Sequence, residues 1–378
     1  MRKILIFTIA LAIALSAAAC GRVEESAASP SAAAEQEPEE NTDIVAVVND
    51  ELILLEEVTY AADSALTVMG FEKSEYSDEE LLELYNGILD ELIYSALERQ
   101  QAEKMGYVEL DEKDAALAQS YVENELAERY EHFYDTARAE AGENADEDRI
   151  GIMTAQLIAD YVADTKETDE YLLRKYSMSI AVENMYAELT AELDVSDDEM
   201  QLGYEERVEQ DRQTYTEHED YFASDRTTNL LYYNLPGYRY VKHIMVSDEE
   251  KANEILALTQ GTDFDNLIIE YSEDTGSEGF ENGYAVCRGC EEFGEEFVNA
   301  AMALEKPGDI SGIVKEGGFW HIIKYVSDIK EGPVSFEEVK DDLYEELLFN
   351  KTEEYKSTVR NEWKKEADIK LFPEIFGL

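Results

Sequence analysis

The residues with most to offer chemically are few and lie close together in the chain. Of four histidines in 378 residues, His243 and His321 sit inside two strand-like stretches, YRYVKHIMV and FWHIIKYV, at opposite ends of residues 238–327. Between them lies an acidic, glycine-punctuated turn, YSEDTGSEG, that contains Asp274. Imidazoles on neighbouring strands can hydrogen-bond to each other and fix each other's tautomer. Asp274, read alone, is equally a turn residue. The other reactive group is the lone CxxC of Cys287-Arg288-Gly289-Cys290. It admits a local disulfide that tightens its loop, a redox pair, half a zinc site completed by another chain, or two free thiols. The segment lacks the βαβ setting of a thioredoxin-like motif, and a Cys287–Cys290 disulfide is the expectation carried forward.

These groups need a scaffold, and the surrounding pattern supplies one. Residues 238–246 alternate as a strand. Ser247-Asp248-Glu249-Glu250 caps a helix through Ala252, Ile255 and Leu258 that Gly261 ends. A short helix over 264–271 follows, then a loop marked by Gly276, Gly279 and Gly283 and a strand over 284–286. A third helix over 293–304 stops at Pro307-Gly308, and a Gly317-Gly318 turn joins two closing strands. The predicted order is β-α-α-β-α-β-β over residues 237–328.

Four segments in this order carry a resemblance: VKHIMV, ANEILALTQGTDFDNLIIEYSEDTGS, EFVNAAMALEKPGD and WHIIKY. Together they resemble the parvulin family of peptidyl-prolyl isomerases. The resemblance implies that His243, Asp274 and His321 form the catalytic group and that Phe293, Phe297 and Met302 line a slot for the proline ring. It implies no metal and no cofactor, since rotation about an X–Pro amide breaks no bond. The chain departs from the family pattern at Asn282, where an apolar slot residue is usual, and at Phe319, two places before His321.

The flanking sequence places this module in a larger protein. Arg2 and Lys3, an apolar run over 4–15, small residues and then Cys20 resemble a bacterial lipoprotein signal, implying removal of 1–19 and lipidation of Cys20. An ordinary secretory signal is the alternative. Residues 20–42 are Ala, Ser, Glu and Pro without an aromatic, a composition suited to a disordered acidic linker. Residues 43–229 open on a hairpin turning at Asn49-Asp50 and continue as amphipathic helices over 113–132 and 149–189, with capping boxes at Ser77/Glu80 and Ser196/Glu199. The order of VNDE, a helix, LDELIYSALERQQAEKMGY and VELDEKDAALA resembles the N-terminal chaperone domain of PrsA- and SurA-type foldases. That resemblance implies an α+β protein in which the parvulin domain is inserted between a mostly helical body and the C-terminal segment, 333–378, that completes it. Ile369 and Leu371 are expected to pair with the hairpin over 45–48.

Lys and Arg number 31 against 88 Asp and Glu, a formal charge of −57. Such a surface repels nucleic acid and anionic lipid. The function implied is an extracytoplasmic foldase, lipid-anchored to the membrane through Cys20, that isomerises X–Pro bonds in unfolded or newly exported polypeptides. The alternative is a parvulin-fold holdase whose isomerase site is silent.

Overall fold

The computed structural model describes residues 43–142, 145–274, 276, 282–290 and 292–376. The signal segment 1–19, Cys20 and the linker 20–42 lie outside the described residues. In chain order the elements are β1 (Ile44–Val48), β2 (Glu51–Leu54), α1 (Leu55–Val68), α2 (Asp78–Met105), α3 (Glu112–Ala141), α4 (Glu147–Thr165), α5 (Asp169–Thr190), α6 (Asp197–Glu217) and α7 (Glu219–Thr228). They continue as β3 (Tyr233–Asn234), β4 (Arg239–Val246), α8 (Glu249–Leu258), α9 (Phe264–Tyr271), β5 (Tyr284–Val286), α10 (Glu295–Ala303), β6 (Val314–Glu316), β7 (Phe319–Asp328), β8 (Gly332–Pro333), α11 (Phe336–Glu366) and β9 (Ile369–Leu371). Two compact units result, one from residues up to 192 together with 352 onward, the other from 193–351.

The first unit is helical around a small sheet. Asn49, at a φ of 55°, turns β1 into β2, a left-handed position that asparagine tolerates. β9 then pairs antiparallel with β1, setting Val48 opposite Ile369 and Ala46 opposite Leu371, in the sheet order β2-β1-β9. This is the pairing expected from the sequence. The Ser77/Glu80 capping box forms at the start of α2, and Gly106 ends that helix at a φ of 87°. The apolar stripe of α2, including Tyr85, Ile88, Leu92 and Ala96, is buried against Val45, Val48 and Val58. The later part of α11 closes the unit, with Trp363 against this core and Arg360 paired with Glu91 at 2.6 Å.

Residues 149–189, expected as one helical run, are two helices. Lys166 takes a left-handed φ of 64° at the end of α4, and Thr168 caps α5 by accepting from the Tyr171 amide. The break is held by Arg129, whose guanidinium donates to the Glu167 carbonyl and carboxylate, both at 2.9 Å. Arg129 is 7% exposed, so its charge needs this partner.

The second unit begins earlier than the sequence suggests. The helical body was expected to extend to residue 229, yet α6 and α7 pack within the unit that holds the histidine sheet. Phe222 of α7 meets Tyr238 edge-on at 4.6 Å between centroids, and Thr227 accepts from the Ala285 amide at 2.9 Å. The central sheet is antiparallel, in the order β5-β4-β7-β6. Because side chains alternate along a strand, β4 and β7 send Ile244, Val246 and Ile322 to one face, against α8 and α9. Val241 and Ile323 go to the other, against Phe297, Val298 and Ala301 of α10. The histidines lie on that second face.

Candidate active site

Strand register brings the two histidines together. His243 stands opposite Ile323 and His321 opposite Met245, so the imidazoles are diagonal neighbours on one face. Their rings stack at 8° with centroids 5.3 Å apart, and one Nδ1 donates to the other across 3.1 Å. Both residues are buried, at 4% and 7% exposure.

Asp274 is delivered by the loop after α9. Ser272 Oγ accepts from the amides of Met245 and Asp274, and the Glu273 amide donates to the Met245 carbonyl at 2.7 Å. These bonds tie the loop to β4 beside His243. His243 Nε2 then donates to Asp274 Oδ2 at 2.7 Å. The same oxygen accepts from the Tyr284 hydroxyl at 2.8 Å, and Oδ1 accepts from the Gly276 amide at 3.0 Å. The result is a hydrogen-bonded line running Tyr284, Asp274, His243, His321.

The electrostatics follow. The His243 bond, followed by those from Tyr284 and Gly276, holds the Asp274 carboxyl below the usual carboxylate range despite its partial burial. Burial, then the adjacent His243, pulls His321 from 6.5 down to about 4. Burial and the neighbouring carboxylate push the Tyr284 hydroxyl up. At neutral pH the site therefore offers a fixed carboxylate and a neutral His321.

Aromatic rings wall this line. Phe297 presents its face-to-edge contacts to both imidazoles, at 5.3 Å to His243 and 5.4 Å to His321, each near perpendicular. Phe293 stacks on Phe297 at 4.7 Å, and Tyr284 meets His243 and Phe293 edge-on. Met302 packs in the same cluster. All six residues singled out from sequence are thus gathered on one face of one sheet. Tyr284 is the member that sequence reasoning missed. Its neighbour Gly283 has a φ of 83° and passes so near β4 that a Cβ would sit 2.2 Å from the Val241 carbonyl oxygen. Only glycine lets β5 enter here and set Tyr284 over Asp274.

Residues 246–327 match the Rotamase family, described as the PPIC-type PPIASE domain. The chain contains a parvulin-type peptidyl-prolyl isomerase domain. The match begins just after His243, which belongs to the same strand as Val246. Across its length the chain is similar to the foldase protein PrsA of Clostridium botulinum (strain 657 / Type Ba4), 29% identical over 80% of this chain and 77% of that protein. It is also similar to foldase protein PrsA 3 of Bacillus anthracis, 41% identical over 35% of this chain and 47% of that protein. A crystal structure of PrsA from Bacillus subtilis is 21% identical, covering 76% of this chain and 88% of that one, with a TM-score of 0.26.

The parvulin domain corrects one expectation and places two departures. Cys287 and Cys290 are free thiols rather than a disulfide. The tight turn folds the Cys290 sulfur back on its partner's backbone, where it accepts from the Cys287 amide and donates to the Cys287 carbonyl, each at 3.1 Å. Hydrogen bonds from the Cys290 thiol and the Tyr238 hydroxyl lower the Cys287 thiol to about 6. Asn282 is exposed. Phe319 is 37% exposed and lies outside the aromatic cluster. Among the described residues no group of three or more His, Cys, Asp and Glu could hold a metal ion. No helix among them is long and apolar enough to cross a membrane.

Proposed function

We propose that this protein is a membrane-anchored foldase that isomerises X–Pro bonds in unfolded, exported polypeptides. The observation that carries the reading is the line from Tyr284 through Asp274 and His243 to His321, walled by Phe297, Phe293 and Met302. An X–Pro amide rotates over a barrier of about 18–20 kcal/mol because its C–N bond has double-bond character. That character places negative charge on the carbonyl oxygen. A carboxylate held beside the oxygen disfavours the planar form and leaves the twisted one, whose oxygen carries less charge, relatively stabilised. Asp274 is the carboxylate proposed for this. His243 and His321 fix its position and shape the slot, and the ring of proline rests against Phe297 and Met302, with Phe293 at the side. No bond breaks, so no nucleophile or metal has a task.

The position of Phe319 outside the aromatic cluster supports an active site over a silent parvulin-fold holdase. The deciding experiment measures isomerisation of a proline tetrapeptide by the mature chain. Asp274→Ala should lower kcat/KM by about tenfold or more, and Phe297→Ala should do so through KM. Wild-type rates no faster than background would leave the holdase reading standing. The helical unit is proposed to hold the client chain, and Cys20 to anchor the protein outside the membrane by lipidation. Labelling with radioactive palmitate should mark the wild type and not Cys20→Ser, which should appear in the medium.

A further inference from the structure

We propose that a cleft in the helical unit is a docking site for acidic, apolar-studded segments of client polypeptides. The inference rests on reading this unit as the client-holding body, and it names what that body prefers. The cleft measures about 570 Å3, within the range of roughly 300–1,000 Å3 that takes a compact ligand or a few residues of peptide. It opens between β2, the end of α2 and the start of α5.

Its charge is the reverse of its surroundings. The chain carries −57, yet Arg99, Lys166, Arg174 and Lys175 line the cleft against two carboxylates, Glu51 and Glu103. Arg99 already pairs with Glu51, which leaves Glu103 facing three cations. Lys166 donates to the carbonyl of Ala163 in its own helix, and the Lys175 ammonium sits over the Tyr176 ring at 5.6 Å. Among the described residues Arg174, Lys166 and Lys175 have no carboxylate partner, in a chain with 88 carboxylates to choose from. A second observation points the same way. Thr168, the N-cap of the 22-residue helix α5, and Tyr171 in its first turn also line the cleft, so the amino end of that helix borders it and adds its dipole to the cations, against Asp169 and Glu170 of the same turn.

The cleft is not purely ionic. Val108 and Leu173 stand 41% and 37% exposed on its wall, and Met178 lines it as well. Cations beside exposed apolar side chains suit an extended chain in which Asp or Glu alternates with Leu, Val or Phe. Such a chain would be repelled by most of this protein's surface and attracted here, which directs it to one place.

The test uses the mature chain and two labelled, proline-free peptides, one alternating Glu with Leu and one alternating Lys with Leu, read by fluorescence anisotropy. The acidic peptide should bind at least tenfold more tightly, and its affinity should fall as salt rises. Arg174→Glu with Lys175→Glu should weaken it at least tenfold, and Leu173→Ser with Val108→Ser should weaken it with the charges intact. Circular dichroism confirms that the variants fold, and tetrapeptide isomerisation should be unchanged in both. Equal binding of the two peptides, or acidic binding untouched by charge reversal, overturns the proposal. Suppression of aggregation of a denatured, proline-free protein separates the layers. If that activity persists without acidic preference, the docking inference alone fails; if both are missing, the reading of the unit as a client holder fails with it.

Discussion

His321 loses basicity because it is buried beside a second imidazole, and this has a definite sign. In the unfolded chain it takes up a proton near its ordinary 6.5, whereas in the fold it resists until about 4. Between those values the unfolded state binds more protons, so stability rises with pH. The contribution is whole above 6.5 and is lost as pH falls to about 4, up to roughly 3 kcal/mol for a shift of this size. Asp274, held low, adds stability that is present above the ordinary carboxylate value and lost only in stronger acid. The parvulin transition should therefore drop in Tm between pH 6.5 and 4.5, and His321→Gln should flatten that slope in calorimetry. Phe297, 1% exposed, should cost about 3–5 kcal/mol when cut to Ala in denaturant unfolding. Cys287 should show thiolate absorbance at 240 nm rising near pH 6, well below the ordinary value of about 8.5, and Cys290→Ala should move it upward. The convergence of His243, His321, Asp274, Phe293, Phe297 and Met302 was legible in the sequence because the segments that carry them follow a family order. Tyr284 was not, because a tyrosine in a strand reads as packing until the neighbouring loop shows where its hydroxyl points. The thiols were misjudged because CxxC spacing says nothing of which way each sulfur turns.

At the scale of elements, local signals gave boundaries well and partners poorly. Ser77/Glu80 and Ser196/Glu199 start helices where their capping boxes predict, and Gly106 ends one. The apolar positions of α6, Met200, Tyr204 and Val208, marked it as amphipathic but did not say which core it would meet. It joins Val195, Tyr232, Val334, Val339 and Leu343 in the second unit. The split of residues 149–189 escaped notice because its cause, the buried Arg129–Glu167 pair, is a contact across 38 positions. The β1–β9 pairing was legible because the tail resembles that of PrsA- and SurA-type foldases and ends a long helix in a short Ile-Lys-Leu strand, whose backbone needs a sheet edge. Deleting residues 367–378 should lower the Tm of the helical unit measurably by circular dichroism, since it removes those ladder bonds and the Phe376 contact with Tyr85, while leaving parvulin isomerisation intact. Gly283→Ala should slow isomerisation by forcing β5 away from β4 and lifting Tyr284 from Asp274.

For the whole molecule, a charge of −57 makes self-repulsion a standing cost of compactness. Added salt screens it over a Debye length of about 10 Å at 0.1 M, so Tm should rise between 10 and 500 mM salt, the reverse of what a protein held by surface ion pairs would show. A further consequence lies in how α11 is shared. Its opening residues belong to the second unit and its later ones to the first, and Asp368 donates to Asn49 across 319 positions. A chain that emerges from a membrane amino end first can finish the parvulin unit once residue 351 is out. The helical body, though most of it leaves earlier, lacks its third strand until the last residues follow. In the proposed export the isomerase unit is thus completed before the helical one, which stays an open client until residues 369–371 arrive.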